Sequence, residues 1–312
     1  MRVLVLGAGG TGGYFGGRLA QSGADVTFLV RPARAALLRE HGLRIDSPLG
    51  DATLRVDTVT AEELPARVAQ APFDLVLLSC KAYDLDSAMD SIAPAMDAGA
   101  DVLPLLNGLR HYGLLDARFG ADRVAGGLCF ISVVLGSAGE IRHLGTPASM
   151  TFGEREGQPA SDRLQQLARL CAGAGIDHAY TDRIAQAQWV KYSFLTALAA
   201  ATCVMRAPIG VVMAGEGGRA FVTALYAECV AVAAAAGHPI AAAAQATALE
   251  TLTQAGSPLK ASMLRDLESG QRVEAAHIVG DMVHRAEAHG IAVPRLQAAW
   301  VHLQAYETQR PA

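Results

Sequence analysis

Residues 2–13 read RVLVLGAGGTGG, and this stretch decides the fold. The run from Val3 to Leu6 is apolar without alternation, the pattern of a strand covered on both faces, as strands of a parallel sheet are. Gly7-Ala8-Gly9-Gly10-Thr11-Gly12 then fits G-x-G-x-x-G. In a chain with 32 glycines the match alone says little. Here it follows a buried strand and opens a helical stretch from about Gly12 to Ser22, which is the context of a dinucleotide-binding turn. Gly7 permits the tight turn, Gly9 lets a pyrophosphate approach the main chain, and Gly12 lets helix and strand pack closely. The helix start, with Gly10 and Thr11, offers free N–H groups and a favourable dipole to an anion.

Working outward, DVTFLV (25–30), DLVLLSC (74–80) and DVLPLLN (101–107) read as further strands separated by helical segments. Strands alternating with helices imply an α/β fold with a doubly wound parallel sheet of the Rossmann type. Between them, LRIDSPLGDATLRVD (43–57) reads as two short strands joined by a Pro-Leu-Gly turn. Residues 123–152 are strand-rich, and SDRLQQLARLCAGAG (161–175) predicts a helix starting at Ser161 or Asp162. Beyond about Asp182 the chain becomes Ala-rich at helical spacing. Gly237-His238-Pro239, Gly256-Ser257-Pro258 and Gly290 with Pro294 punctuate it as turns. The expected organisation is a nucleotide-binding domain over residues 1–182 and an all-helical domain over 183–312.

The end of the second strand selects the nicotinamide cofactor. An NAD site places Asp or Glu there, against the ribose 2′-hydroxyl. Asp25 stands at about the right sequence distance but begins the strand, roughly five residues at ~3.3 Å each from the adenosine end. At the correct end stand Arg31 and, three residues on, Arg34. Arginine matches a 2′-phosphate, which a carboxylate would repel. NADPH is therefore the expected cofactor.

Composition narrows the remaining classes. With 51% hydrophobic and 18% charged residues the chain can build substantial cores, and a net charge of −4 gives no general attraction to nucleic acid or an anionic membrane. Cys80, Cys129, Cys171, Cys203 and Cys229 are scattered, without metal-ligand spacing, as in a reduced cytoplasmic protein with small core thiols. A strand starting at Arg2 leaves no room for a signal peptide. The longest apolar stretch, Phe194–Met205, is too short to span a membrane and reads as a buried helix. The Ala-rich helices would suit a homodimer as well as packing within one chain.

Several further segments, in order, make the chain resemble the ketopantoate reductase (2-dehydropantoate 2-reductase) family from Met1 to about Pro294. Besides the glycine motif and Arg31 they are Ser79-Cys80-Lys81-Ala82, Leu106-Asn107-Gly108-Leu109, Trp189-Val190-Lys191, Ser262-Met263-Leu264-Arg265-Asp266-Leu267, Glu274, and His289-Gly290-Ile291-Ala292-Val293-Pro294. The resemblance implies reduction of a small 2-keto acid, foremost ketopantoate to pantoate in pantothenate biosynthesis. By the same resemblance Lys191 polarises the carbonyl and supplies the proton, and general acid catalysis of that sort typically contributes ~10²–10⁴-fold. Glu274 would hold the lysine and a substrate hydroxyl, Asn107 would contact cofactor and substrate, Lys81 would add positive charge near the nicotinamide, and Ser262 would bind substrate.

The chain departs from the family one and two helical turns after Lys191. The family has asparagines there, on the lysine's face; here they are Leu195 and Ala199. Leaving a substrate hydroxyl without such partners costs ~1–3 kcal/mol, roughly ten- to a hundred-fold in affinity. A more apolar 2-keto acid is thus the alternative substrate, with Arg110 and His111, read as lying on the active-site loop directly after Asn107-Gly108-Leu109, as other candidates for recruiting its carboxylate. A non-catalytic NADP-binding sensor is the alternative of a different class, and the joint presence of Lys191 and Glu274 speaks against it.

Overall fold

The first unit follows strand and helix in turn: β1 (Arg2–Leu6), α1 (Gly10–Gln21), β2 (Asp25–Leu29), α2 (Pro32–His41), β3 (Leu43–Asp46), β4 (Ala52–Leu54), β5 (Asp57–Val59), α3 (Leu64–Gln70), β6 (Leu75–Leu78), α4 (Leu85–Asp97), β7 (Asp101–Pro104), α5 (Arg110–Phe119), β8 (Gly126–Leu135), β9 (Ile141–Gly153), α6 (Asp162–Gly173) and β10 (Asp177–Tyr180). These come from a computed structural model that describes residues 1–155 and 157–310.

The strand order β5-β2-β1-β6-β7, parallel throughout, is a doubly wound sheet with β1 at its centre. Val3, Leu4 and Val5 of β1 and all four residues of β6 are fully buried, which is why those positions carry no polar residue. In register, Leu6 faces Leu29 and Leu78, and Leu78 faces Pro104. The segments leaving β1, β2 and β6 therefore emerge along one edge, the carboxyl edge where such sheets bind ligands. Asp25 pairs with Arg2 at the opposite edge, with Arg2 Nε donating to its carboxylate at 3.2 Å.

A second sheet has the order β10-β9-β3-β4, with β8 antiparallel to β9. The β3–β4 pair is the short hairpin-like element expected around Pro48-Leu49-Gly50. β5 and β10 were not expected from the sequence. β5 has three residues, and β10 (Asp-His-Ala-Tyr) is largely exposed, so neither shows a hydrophobic period. α6 starts as anticipated: the Ser161 side chain accepts from Leu164 N at 3.2 Å.

The second unit is helical: α7 (Ile184–Met205), α8 (Ile209–Ala214), α9 (Gly218–Ala235), α10 (Ala242–Leu252), α11 (Ser262–Glu268), a π-turn (Ala276–Gly280), α12 (Asp281–Ala288) and α13 (Pro294–Gln309). Four residues from far upstream, Asn107–Arg110, belong to this unit, whereas the chain on both sides of them belongs to the first. The apolar stretch 194–205 forms the second half of α7, with Ala197 and Ala199–Ala201 fully buried. α9 is 18 residues long and apolar enough to cross a membrane by length and composition. It packs within the unit against α8, α10, α12 and α13. The buried Glu228 carboxylate on α9 accepts from the main-chain N–H groups of Arg295 at 3.2 Å and Leu296 at 3.0 Å, capping α13 just after Pro294. Cys129, Cys171, Cys203 and Cys229 are buried and Cys80 is half-buried. Burial pushes the Cys171 and Cys203 thiols up to about 12, so they act as packing groups.

Candidate active site

In the first unit the glycine-rich segment forms the turn from β1 into α1. Gly12 packs where a side chain would overlap both the Ser79 hydroxyl and the Gly7 carbonyl, a close approach open only to glycine. At Gly9, by contrast, an added Cβ would meet nothing, so the main chain faces open space there. Gly9 is the N-cap of α1 and supplies no side-chain cap, leaving the first-turn N–H groups of a 12-residue helix without a side-chain acceptor. An uncapped helix start beside open space is what a pyrophosphate requires, and the residues present fit a dinucleotide.

Arg31 is the N-cap of α2, directly past β2, with its side chain 81% exposed and Nη2 3.6 Å from Asp84 Oδ2. Arg34, one turn on, turns back toward the glycine loop and donates from Nη2 to the Ala8 carbonyl at 2.8 Å. Partial burial lowers its pKa, yet a guanidinium keeps its charge. Lys81 is half-buried and leads into a 3-10 turn, Ala82–Asp84, after β6. Arg31 and Lys81 thus both leave the carboxyl edge of the sheet.

In the second unit Lys191 lies in the first half of α7 and is only 9% exposed. Its Nζ donates to Asn107 Oδ1 at 3.0 Å. A lysine on a helix ordinarily reaches into water; here the α7 helix buries the stem and a side-chain amide receives the ammonium. Glu274 is likewise buried, at 8% exposure, immediately ahead of the π-turn. Its carbonyl accepts from both His277 N and Ile278 N at 3.1 Å. Ser262, half-buried, opens α11 in the same unit.

Three residues around Lys191 escaped the sequence reading. Tyr192 is fully buried, and its hydroxyl lies 2.9 Å from both the Ile278 carbonyl and Asp281 Oδ2. Burial first, then the Asp281 charge, hold that phenol protonated. Asp281 also accepts from Arg285 Nε at 2.8 Å. His277 is 6% exposed, and burial pushes its imidazole down to about 4, with the Arg110 and Arg285 charges adding to the effect against Asp281. The spacing of His277 and Asp281 was the available signal, two polar residues four apart in an otherwise apolar segment.

Arg110 and His111 require a correction. They open the helix α5 and are not on a loop, and His111 is fully buried with its ring 4.3 Å from that of Tyr112. Burial removes His111 as a recruiter of a substrate carboxylate. Leu195 is half-buried, one turn beyond Lys191, and Ala199 is fully buried.

Residues 3–157 match the family model described as "Ketopantoate reductase PanE/ApbA", and residues 183–307 match "Ketopantoate reductase PanE/ApbA C terminal". An "Uncharacterized oxidoreductase YkpB" of Bacillus subtilis is 36% identical over 99% of this chain and 100% of its own length. A Halobacterium salinarum protein named 2-dehydropantoate 2-reductase is 32% identical, covering 94% of this chain and 95% of itself. The crystal structure of 2-dehydropantoate 2-reductase from Geobacter metallireducens superposes with a TM-score of 0.87 at 31% identity, covering 98% of this chain and 99% of that one.

Proposed function

The chain belongs to the ketopantoate reductase family, and from that premise we propose that it is an NADPH-dependent reductase of a 2-keto acid in which Lys191 is the general acid. The observation that carries the reading is the buried Lys191 ammonium donating to Asn107 Oδ1. When bound, the reduced nicotinamide supplies hydride to the keto carbon. Lys191 Nζ hydrogen-bonds the keto oxygen, stabilises the charge that develops on it and passes it a proton, leaving a 2-hydroxy acid and a neutral amine that recovers its proton from water. Asn107 keeps Nζ in place by accepting one of its three protons. Glu274, in the same unit, holds Lys191 and a substrate hydroxyl, and Ser262 contributes a hydroxyl for the substrate. The Gly7–Gly12 turn holds the pyrophosphate, Arg31 supplies the positive charge that a 2′-phosphate calls for, and Lys81 adds positive charge near the nicotinamide. Reduced thiols and the use of NADPH suit a cytoplasmic enzyme.

Ketopantoate is the leading substrate, as the reading of the family implies, with formation of pantoate as the product. A second reading rests on Leu195 and Ala199, which present hydrocarbon where a hydroxylated substrate needs amides. It assigns a 2-keto acid with an apolar side chain. Initial rates with NADPH across a panel of 2-keto acids decide between the two. Ketopantoate turned over no faster than simple branched keto acids would remove the first. Turnover that survives Lys191→Ala would remove the reductase mechanism and leave a nucleotide-binding sensor.

A further inference from the structure

The contacts around the Lys191–Asn107 pair converge on one irregular segment, the π-turn Ala276–Gly280. Such wide turns are rare and recur at functional sites, because the extra residue shifts side chains off the regular helical rows. From one side the Asn107–Gly108 turn rests on it. Gly108 has φ +81°, and a Cβ there would lie 2.6 Å from the His277 carbonyl oxygen and 3.2 Å from His277 Cδ2. The loop that carries Asn107 is therefore seated on the His277 main chain and ring with no space between. From the other side Tyr192, the neighbour of Lys191, is bound to the Ile278 carbonyl and to Asp281, both in or next to the same turn. Arg285 fixes the Asp281 carboxylate. One short segment thus grips the residue after Asn107 and the residue after Lys191.

We infer that His277 and Asp281 are positioning residues for the reaction: His277 seats the Asn107–Gly108 turn, Asp281 anchors α7 through Tyr192, and together they set the Nζ–Oδ1 contact from which Lys191 works. The inference rests on the reading of Lys191 as the acid. A displacement of about 1 Å in such a pair is enough to cost roughly a hundred-fold in rate. The two residues reach Lys191 by different routes, so each alone disturbs it. Both routes end on the Lys191–Asn107 contact, so the loss is expected in turnover.

The test uses His277→Ala and Asp281→Asn in the full-length protein, with NADPH binding followed by fluorescence as the check that the fold is intact. Each variant is expected to lower kcat by roughly ten- to a hundred-fold while the NADPH Kd and the keto-acid KM stay within about twofold. A second readout does not depend on turnover. Lys81, Lys191 and Lys260 are the only lysines of the sequence, so reductive methylation with ¹³C-formaldehyde gives a lysine NMR spectrum simple enough to assign by Lys→Arg substitution. The Lys191 signal should change its titration midpoint in both variants while Lys81 and Lys260 keep theirs. Unchanged kcat together with an unchanged Lys191 titration would overturn the inference, as would a loss of NADPH binding equal to the loss of turnover. If Lys191→Ala retains activity, the assignment of the acid fails, and the Lys191 titration in the two variants still decides whether they position it.

Discussion

Lys191 Nζ donates to Asn107 Oδ1 at 3.0 Å, joining two residues 84 positions apart inside one helical unit. Removing the acceptor leaves a nearly buried ammonium short of a partner, at a cost of about 1–3 kcal/mol or more because the group is charged. Asn107→Ala is expected to reduce kcat roughly ten- to a hundred-fold in steady-state assays at 340 nm. An Asn107→Ala enzyme with full kcat would remove the amide from the mechanism.

Arg31 projects into solvent at the end of β2, near Asp84. A charge-assisted contact to phosphate contributes about 1.5–3 kcal/mol. Arg31→Ala should therefore weaken NADPH roughly ten- to a hundred-fold and leave NADH nearly unchanged. Titrating both cofactors by fluorescence checks this, and equal losses for the two would refute a 2′-phosphate role.

Leu195 occupies the position one turn beyond Lys191. Leu195→Asn restores an amide there and should raise kcat/KM for hydroxylated keto acids relative to apolar ones by roughly ten-fold, given ~1–3 kcal/mol for a satisfied polar partner. A panel of keto acids run on both proteins measures the ratio, and no change would place Leu195 outside the substrate's reach.

Glu228 caps α13 from the middle of α9 with two main-chain bonds and one from Arg295 Nη1. Glu228→Ala strips that cap and leaves buried N–H groups unpaired, which should cost about 1–3 kcal/mol. Urea unfolding followed by circular dichroism should show a lower midpoint with an unchanged slope. Kinetic constants below the transition should stay near those of the parent protein.

His277 also makes stability depend on pH. Its folded pKa, held at about 4, lies below the ordinary value of 6.5, so above pH 6.5 the ring is neutral in both states and contributes nothing. Between those values the unfolded chain binds a proton that the folded protein does not, and stability falls as the pH drops through the window. The full effect is roughly 3 kcal/mol at about pH 4. His277→Phe, which cannot titrate, should show a shallower loss between pH 6.5 and 4 in denaturant melts. Parallel curves for the two proteins would show that the ring titrates normally.

The nucleotide half was legible because its signals are local. Val3–Leu6, the glycines and Arg31 lie within one strand–turn–helix, and their spacing carries the geometry. Asp25 was assigned to the wrong end of its strand for the cofactor by counting residues, and the parallel register agrees. β5 and β10 escaped because three- and four-residue edge strands have no period to read. Arg110 and His111 were misplaced because the glycine at 108 suggested that the loop ran on, whereas α5 begins two residues later. The candidate site in the helical half was legible only through the family motifs. Lys191 looks like any helical lysine until Asn107 is brought to it from 84 positions upstream. Tyr192 has no pattern around it, and the four-residue spacing of His277 and Asp281 belongs to no catalytic motif by itself.

The assignment of Asn107–Arg110 to the helical unit has a consequence for biosynthesis. The ribosome delivers the nucleotide-binding half first, with this four-residue excursion already made and its seat not yet translated. The seat, His277, emerges some 170 residues later, on the order of ten seconds or more at ordinary elongation speeds. A nascent chain can thus acquire its glycine turn well before it can seat the Asn107–Gly108 turn. Cutting the gene at the apparent domain boundary would yield a C-terminal fragment that lacks a part of its own structure.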